Sequence, residues 1–262
     1  MHSLPVGDAT LHVDVALKKG RPNIAFINSL GSDLRIWDAV IDALARADVG
    51  WLRFDLRGHG LSDLGTPPKL IADHAEDLFA IMKAVGLERA TICGVSVGGA
   101  IALALADAHP ECVEKLVLCC TGAKIGTDES WNQRIAAIER GGLGAVAESV
   151  LQRWFPPHDY AKGGGVLALC RNMLARTASD GYIATCVTLR DSDLSAAARR
   201  VKAPTLVVAG EFDGSTLPEF VKTLAELIPG AKFKVIAGAA HLPSVQQPEA
   251  LTREIFEFIG AS

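Results

Sequence analysis

The chain has 262 residues, of which 49% are hydrophobic and 21% are charged, and its formal net charge is −4 at pH 7. That size fits one large α/β domain, or a core with an inserted subdomain, and supplies ample apolar material for a buried core. The slightly acidic balance gives no basic field, so nucleic acid is not an expected partner. Polar and charged residues interrupt the apolar stretches, so we expect neither a signal peptide nor a membrane span.

The six cysteines show no Cys-x-x-Cys pair and no spacing typical of a metal site; they are Cys93, Cys112, Cys119, Cys120, Cys170 and Cys186. Most fall in apolar runs, where a free cysteine behaves as a small hydrophobic residue. This usage favours reduced thiols in a cytoplasmic protein over disulfides. We expect no metal ion and no cofactor, since the chain also lacks a phosphate-binding Gly-Lys-Ser/Thr loop.

The first part of the chain alternates apolar strand-like runs with amphipathic helical patterns. Residues 11–17 alternate as an edge strand of an antiparallel pair does, whereas residues 23–27 form a nearly continuous apolar run, typical of a buried parallel strand. Further strands are predicted at 50–55, 91–95 and 115–120. Helices are predicted at 37–47, at 71–85 and after the strand at 91–95, where the helix ends at about residue 109.

Between residues 121 and 198 the strand-like runs disappear. Helical patterns joined by glycine and proline replace them, at 129–140, 143–154, 166–178 and 181–190. Strand chemistry resumes at 204–210 and 232–236, with helices at 218–228 and 248–259. We therefore predict a core domain of residues 1–120 and 199–262 with an inserted helical lid of residues 121–198, called the helical lid below.

Strands that alternate with helices predict a doubly wound, mostly parallel sheet. Together with the order of the polar residues described next, this predicts the α/β-hydrolase fold. Ligands of such sheets bind beyond the carboxyl ends of the strands. The helical lid is expected to cover that edge.

Gly94-Val95-Ser96-Val97-Gly98 follows an apolar strand and opens a helix rich in alanine and leucine. A serine at so sharp a turn sits in a strained conformation, and the flanking positions must lack side chains. The turn would hold the Ser96 hydroxyl above the sheet edge, beside the positive end of a helix. The pattern is common by chance, and the alternative is an ordinary glycine-rich turn.

A serine hydroxyl becomes a good nucleophile when a base removes its proton, and an acid must orient that base. Asp213 and His241 each follow a predicted strand, in the Ser, Asp, His order of α/β hydrolases. Glu211 is the rival acid and His59 the rival base. We predict Ser96, Asp213 and His241 as the catalytic residues.

The backbone N–H groups of Leu30 and Val97 are the predicted oxyanion hole, because both follow strands that end at this edge. In the helical lid, Arg134 accompanies Trp131, and Arg153 accompanies Trp154. An arginine in an apolar cleft is a natural partner for a carboxylate, since its planar fork binds both oxygens. We predict these four lid residues as the substrate-binding residues.

Several segments spread over the chain form a recognisable set: Ile27-Asn28-Ser29-Leu30-Gly31, Asp55-Leu56-Arg57-Gly58-His59-Gly60, Cys93-Gly94-Val95-Ser96-Val97-Gly98-Gly99, Trp131-Asn132-Gln133-Arg134-Ile135, Arg153-Trp154-Phe155, Gly181-Tyr182 and Ala240-His241-Leu242. Together they resemble the 3-oxoadipate enol-lactonase family. Val97 departs from this family, where methionine is more usual. Pro243-Ser244-Val245-Gln246 also departs, at a place where a Ser-Asn-type sequence is expected.

The resemblance implies hydrolysis of 3-oxoadipate enol-lactone to 3-oxoadipate, in bacterial catabolism of protocatechuate and catechol. It implies a small lactone with a carboxylate as the partner, and no cofactor. Two other functions stay open: another serine carboxylesterase or a C–C bond hydrolase of ring-cleavage products, and a ligand-binding protein without catalysis. The sequence also leaves open whether the chain forms a homo-oligomer.

Overall fold

Eight strands form one sheet in the computed structural model, which describes residues 2–260. The strands are β1 (His2–Val6), β2 (Ala9–Ala16), β3 (Asn23–Ile27), β4 (Gly50–Phe54), β5 (Ala90–Val95), β6 (Val113–Cys119), β7 (Thr205–Gly210) and β8 (Lys232–Ile236). Their order across the sheet is β1-β2-β4-β3-β5-β6-β7-β8. The crossover between β3 and β4 places β3 beside β5, so the loop after β3 meets the loop after β5.

Strand direction divides the sheet into two parts. β2 runs antiparallel to β1 and to β4, whereas every pair from β4 to β8 is parallel. Every residue of β5 and of β7 is buried. Strands covered by helices on both faces need such continuous apolar runs, and this is the doubly wound, mostly parallel sheet that the sequence predicts.

The prediction that residues 11–17 form an edge strand is wrong. β1 lies outside β2, with Leu4 opposite Leu11 in the register, and takes the edge position. Most of β1 is exposed or half-buried, and it contains Pro5. A short, polar segment with a proline carries little strand signal, although an edge strand tolerates all three features.

Three helices precede the helical lid: α1 (Asp38–Arg46), α2 (Ile71–Ala84) and α3 (Val97–Ala108). α1 shows how the chain's helices are built, because Val40, Ile41 and Leu44 bury one stripe on the core. In α3, by contrast, residues 97–106 are all buried, as expected for the helix that packs at the centre of the sheet.

The segment between β6 and β7, all of it described, forms six helices: α4 (Asp128–Gly141), α5 (Gly144–Trp154), α6 (Pro157–Lys162), α7 (Gly165–Arg176), α8 (Ser179–Asp191) and α9 (Ser195–Arg200). The sequence predicted four of them, and the two short helices α6 and α9 were missed. The division into core and helical lid stays a prediction, and its terminal residues Met1, Ala261 and Ser262 lie outside the described residues.

Three helices complete the chain: α10 (Pro218–Leu227), α11 (Pro243–Gln246) and α12 (Pro248–Ile259). Each begins with proline at its first position, where the missing N–H costs nothing. The single turn of α11 directly follows His241 and was not predicted. Among residues 2–260 no helix is long and apolar enough to cross a membrane.

Candidate active site

Ser96 occupies a strained turn between β5 and α3. Its φ is 59° and its ψ is −120°, a conformation that L-residues rarely adopt. A Cβ on Gly94 would lie 2.2 Å from the Gly98 carbonyl carbon, and one on Gly98 would lie 2.4 Å from the Ile27 oxygen. Glycine is therefore required at both positions, because the backbones approach too closely for a Cβ. The sequence predicts this requirement for a serine at a sharp strand-to-helix turn.

The end of β6 and the loop after it hold the backbone of Ser96. Its N–H donates to the Cys119 oxygen at 2.9 Å, and its own carbonyl accepts from Thr121 Oγ1 at 2.7 Å. Thr121 is fully buried. Sequence reasoning missed Thr121, because nothing in the local pattern shows that this hydroxyl reaches a residue 25 positions earlier.

Asp213 and His241 form a buried hydrogen-bonded pair. His241 Nδ1 lies 2.9 Å and 3.0 Å from the two Asp213 carboxylate oxygens, and both side chains are almost fully buried. The backbone N–H of Ser215 donates to Asp213 Oδ1 at 2.7 Å, and the Thr216 hydroxyl donates to Oδ2 at 2.7 Å. Because Nδ1 faces the carboxylate, Nε2 is the His241 nitrogen left for a reacting group.

Two opposed effects act on the pKa of Asp213. Burial raises the pKa of this carboxyl, but the nearby His241 and the hydrogen bonds from His241 and Thr216 outweigh burial, so the pKa lies below its usual range. Asp213 is therefore ionised at neutral pH. A carboxylate in this position can orient the His241 ring and stabilise its protonated form.

The rival acid and base lie in other surroundings. Glu211 is exposed, and its carboxylate accepts the N–H of Gly238 at 2.9 Å. His59 is buried with Nδ1 3.0 Å from the Arg57 oxygen, and burial lowers its pKa. Neither side chain lines the cavity that contains Ser96.

Cys120, Asp213 and His241 form the one group of three possible metal ligands found among residues 2–260. Their ligand atoms lie within 4.8 Å of one another. Burial raises the pKa of the Cys120 thiol well above its usual value, which disfavours the thiolate that a metal would bind. The oxygens of Asp213 are also already engaged, which makes this group a poor metal site.

Ser96 and His241 line one cavity of about 250 Å³ under the helical lid. Its other walls come from the loop after β3 and from helices α4, α5 and α8. The lining residues include Ser29, Leu30, Ile125, Ser130, Trp131, Arg134, Val150, Arg153, Trp154, Tyr182, Leu189, Ser215 and Thr216. The structure thus brings all four predicted lid residues to the same cavity as Ser96 and His241.

One predicted oxyanion donor lines this cavity, and the other directly follows Ser96 in the chain. Leu30 lines the cavity, within a turn closed by the Ser32 N–H to the Ser29 oxygen at 3.1 Å. Val97 is the first residue of α3, so its N–H is one of those that a helix leaves free. Within residues 2–260 neither the Leu30 nor the Val97 N–H donates to a protein acceptor. Asn28 shapes the loop by donating to the Phe54 oxygen at 2.7 Å.

Arg134 and Arg153 give the cavity two positive charges. The Arg134 guanidinium carbon lies 4.8 Å from the centroid of the Trp131 ring. Burial, and then the charge of Arg134, lower the pKa of Arg153. Within the described part of the chain no carboxylate lies within 4.0 Å of either guanidinium. Two partly buried cations, with no counter-charge among the described residues, suit this wall to binding an anion.

The tryptophans have structural partners as well as cavity surface. Trp131 Nε1 donates to the Ile125 oxygen at 2.7 Å, so the indole N–H is occupied and the ring serves as a wall and as a platform for Arg134. The rings of Trp154 and His241 stack with centroids 6.4 Å apart. Trp154 therefore packs directly on the predicted base.

Tyr182 lines the cavity and was not predicted as a site residue. It is 1% exposed, and burial raises its pKa to about 12, so the phenol stays protonated and can donate a hydrogen bond. Its ring also approaches the loop that carries Leu30, since a Cβ on Gly31 would lie 2.8 Å from Tyr182 Cε2. The local sequence around this tyrosine does not indicate that its side chain reaches the cavity or the loop that carries Leu30.

The model of the alpha/beta hydrolase fold family matches residues 22–248. The chain belongs to this family, which confirms the predicted fold. It is 31% identical over 250 residues to 3-oxoadipate enol-lactonase 1 of Acinetobacter baylyi, covering 95% of this chain and 93% of that protein. It is 29% identical over 253 residues to 3-oxoadipate enol-lactonase 2 of the same organism, covering 97% and 94%.

Among solved structures, the enol-lactonase from Burkholderia xenovorans superposes with a TM-score of 0.94 at 32% identity. That superposition covers 99% of this chain and all of the other. The resemblance to the 3-oxoadipate enol-lactonase family that the sequence predicts is confirmed by these relatives.

Proposed function

We propose that the protein hydrolyses 3-oxoadipate enol-lactone to 3-oxoadipate through an acyl-enzyme on Ser96, in bacterial catabolism of protocatechuate and catechol. One observation carries the proposal: a single cavity contains Ser96, His241 and two arginines that have no acidic partner among the described residues. A serine and a base suit a lactone carbonyl, and the arginines suit its carboxylate. The names of the relatives point to the same substrate.

In the first step, Ser96 Oγ attacks the lactone carbonyl carbon while His241 Nε2 takes its proton. Asp213 is ionised and hydrogen-bonded to His241 Nδ1, so it stabilises the imidazolium that forms. The carbonyl oxygen becomes an oxyanion and accepts the N–H groups of Leu30 and Val97. Such preorganised donors contribute about 3 kcal/mol each to stabilising a tetrahedral intermediate.

Collapse of the intermediate breaks the ring C–O bond and leaves the acyl group on Ser96. The departing oxygen is an enol oxygen, a far better leaving group than an alkoxide. It takes the proton from His241 Nε2 as it leaves, which gives the enol and returns His241 to its neutral form. The freed enol then becomes a ketone when a proton moves from oxygen to carbon. Ring opening thus yields the 3-oxoadipyl ester of Ser96.

A water molecule completes the cycle. His241 Nε2 takes a proton from the water as its oxygen attacks the ester carbonyl, and the same two N–H groups receive the second oxyanion. The ester C–O bond then breaks, Ser96 Oγ regains its proton from His241, and 3-oxoadipate departs. These steps balance with water as the one co-reactant, and the proposal includes no metal ion or cofactor.

The substrate carboxylate binds beside Arg134 and Arg153. Burial and mutual repulsion both disfavour the charged state of Arg153, as its lowered pKa indicates. A bound carboxylate relieves the repulsion and supplies the missing counter-charge, so binding is favoured over that of a neutral molecule. The stacked Trp131 limits the positions open to the Arg134 guanidinium and reduces the entropy lost on binding.

Three substrates separate this proposal from its alternatives. They are 3-oxoadipate enol-lactone, α-angelica lactone, which has the same ring with a methyl group in place of the carboxymethyl group, and p-nitrophenyl acetate. We expect kcat/KM for the first to exceed that for the second by about a hundredfold, the effect of one well-placed charged interaction. Equal values for the two lactones would reject the carboxylate site.

The same assay tests the other functions. Cleavage of p-nitrophenyl acetate alone would make the protein a carboxylesterase of different specificity. A dienol ring-cleavage product is assayed as a fourth substrate, and activity confined to it would make the protein a C–C bond hydrolase. Binding of the lactone with neither turnover nor ester cleavage would indicate a ligand-binding protein.

A further inference from the structure

The last turn of α5 is hydrogen-bonded to the segment that carries His241. The carbonyl oxygen of Trp154 accepts the backbone N–H of His241 at 3.2 Å. The same oxygen accepts a second hydrogen bond at 2.7 Å from the side-chain amide of Gln246. One carbonyl group of the helical lid therefore accepts hydrogen bonds from both the His241 backbone and the Gln246 side chain.

The other end of the Gln246 amide reaches the residue before His241. Its Oε1 accepts the N–H of Ala240 at 2.8 Å, so the side chain links Trp154 of the helical lid to Ala240. A primary amide donates at its nitrogen and accepts at its oxygen without carrying charge. Gln246 is half-buried in α11, where an unmet hydrogen bond would be costly.

Asp213 fixes the His241 ring through Nδ1, but it does not fix the backbone that carries the ring. The backbone N–H groups of His241 and Ala240 are instead held by the Trp154 oxygen and by Gln246 Oε1. Catalytic groups must be held within about 0.5 Å of their productive position, and a shift of about 1 Å can cost a hundredfold in rate.

We propose that Gln246 is a positioning residue that sets the place of His241 by tying it to the helical lid. This inference rests on the proposed role of His241 as the base and not on the identity of the substrate.

Two variants test the bridge. Gln246→Met keeps the length of the side chain and removes both hydrogen bonds, whereas Gln246→Glu keeps an acceptor for Ala240 and loses the donor to Trp154. Gln152→Met makes the first change at an exposed position of α5 and is the matched control. The substrate is p-nitrophenyl acetate, so the result does not depend on which lactone is the natural substrate.

We expect Gln246→Met to lower kcat about tenfold with KM changed less than about twofold, because a misplaced base slows the reaction without removing binding contacts. The low-field proton resonance of His241 Nδ1–H should shift or broaden. Gln246→Glu should fall between the wild type and Gln246→Met, and Gln152→Met should match the wild type.

A lower melting temperature with unchanged kcat and an unchanged Nδ1 proton resonance would show a structural role only and overturn the proposal. Wild-type kcat in Gln246→Glu would show that the contact with Trp154 does nothing, and would overturn the link to the helical lid. If Gln246→Met does not fold, Gln246→Glu still decides the question. Absence of lactone turnover in the wild type, with ester turnover intact, would reject the proposed substrate and leave this test standing.

Discussion

The guanidinium of Arg134 stacks on the ring of Trp131, with its central carbon 4.8 Å from the ring centroid, inside the cavity that contains Ser96. The stacking places a cation against the cavity wall, and no carboxylate of residues 2–260 forms an ion pair with it. Under the proposed function, this arrangement separates the binding of the substrate carboxylate from the reaction at Ser96, so the two can be tested separately.

Arg134→Met should lower kcat/KM for 3-oxoadipate enol-lactone by about ten- to a hundredfold, which corresponds to a lost charge-assisted hydrogen bond of about 1.5–3 kcal/mol. The variant should leave α-angelica lactone hydrolysis nearly unchanged, because that substrate has no carboxylate. Steady-state kinetics on both lactones measures the difference. Arg140→Met, at an exposed position of the same helix, is the control. Equal losses on both lactones would mean that Arg134 supports the cavity and not the carboxylate.

Asp213→Asn should lower kcat by roughly a thousandfold or more, because an amide favours the wrong imidazole tautomer of His241. Glu211→Gln makes the same change two residues away, on a side chain that accepts from Gly238. Ester hydrolysis by the two variants, with circular dichroism as a check on folding, separates the candidate acids. A large loss of activity in Glu211→Gln with little loss in Asp213→Asn would show that Glu211, and not Asp213, is the acid.

Gly31→Ala should displace the loop that carries Leu30. Gly31 has a φ of 77°, and an added Cβ would lie 2.6 Å from Leu174 Cδ1 and 2.8 Å from Tyr182 Cε2. We expect kcat to fall about tenfold or more, since one oxyanion donor is worth about a hundredfold. Gly86→Ala has a similar φ of 73° with nothing within 4 Å, so it reproduces the backbone strain alone. A decline in melting temperature shared by both variants, with kcat unaffected in Gly31→Ala, would contradict the prediction.

His74 should make the protein less stable in acid. It is fully buried, neither ring nitrogen has a partner among the described residues, and burial lowers its pKa to about 3. Because the folded pKa lies below the unfolded value of about 6.5, the unfolded chain binds the proton first. Stability therefore falls as pH drops from about 6.5 towards 3, by up to a few kcal/mol, and is unaffected by this group above that range.

His74→Leu should flatten this loss, and it should be neutral or stabilising at pH 7, because it removes two unpartnered polar atoms from the core. Urea unfolding at several pH values measures the slope, and His158→Leu, at an exposed position, is the control. An unchanged slope in His74→Leu would show that other groups cause the acid sensitivity.

The parts of the fold that could be predicted were those with strong local patterns. β5 and β7 are continuous apolar runs, and α3 follows a turn where Gly94 and Gly98 are required by close approach. These features depend on residues near one another in the chain. The exposed strand β1 and the short helices α6 and α9 have weak patterns, and they exist because the rest of the fold supports them.

The candidate site divides in the same way. Ser96, Asp213 and His241 follow strand ends, so topology alone predicts that they meet. Thr121, Tyr182 and Gln246 could not be predicted, because each makes its key contact with a distant segment. The contact of Gln246 with Trp154 joins residues 92 positions apart. No periodicity or local motif encodes such a pair.

The most direct test of the account follows the loss of absorbance of 3-oxoadipate enol-lactone with the wild-type protein and with Ser96→Ala, both checked for folding by circular dichroism. We predict rapid turnover by the wild type and less than about a hundredth of that rate in the variant, because removal of the nucleophile leaves only binding and oxyanion stabilisation. Retention of more than a hundredth of the activity in Ser96→Ala, or failure of the wild type to consume the lactone, would contradict the account.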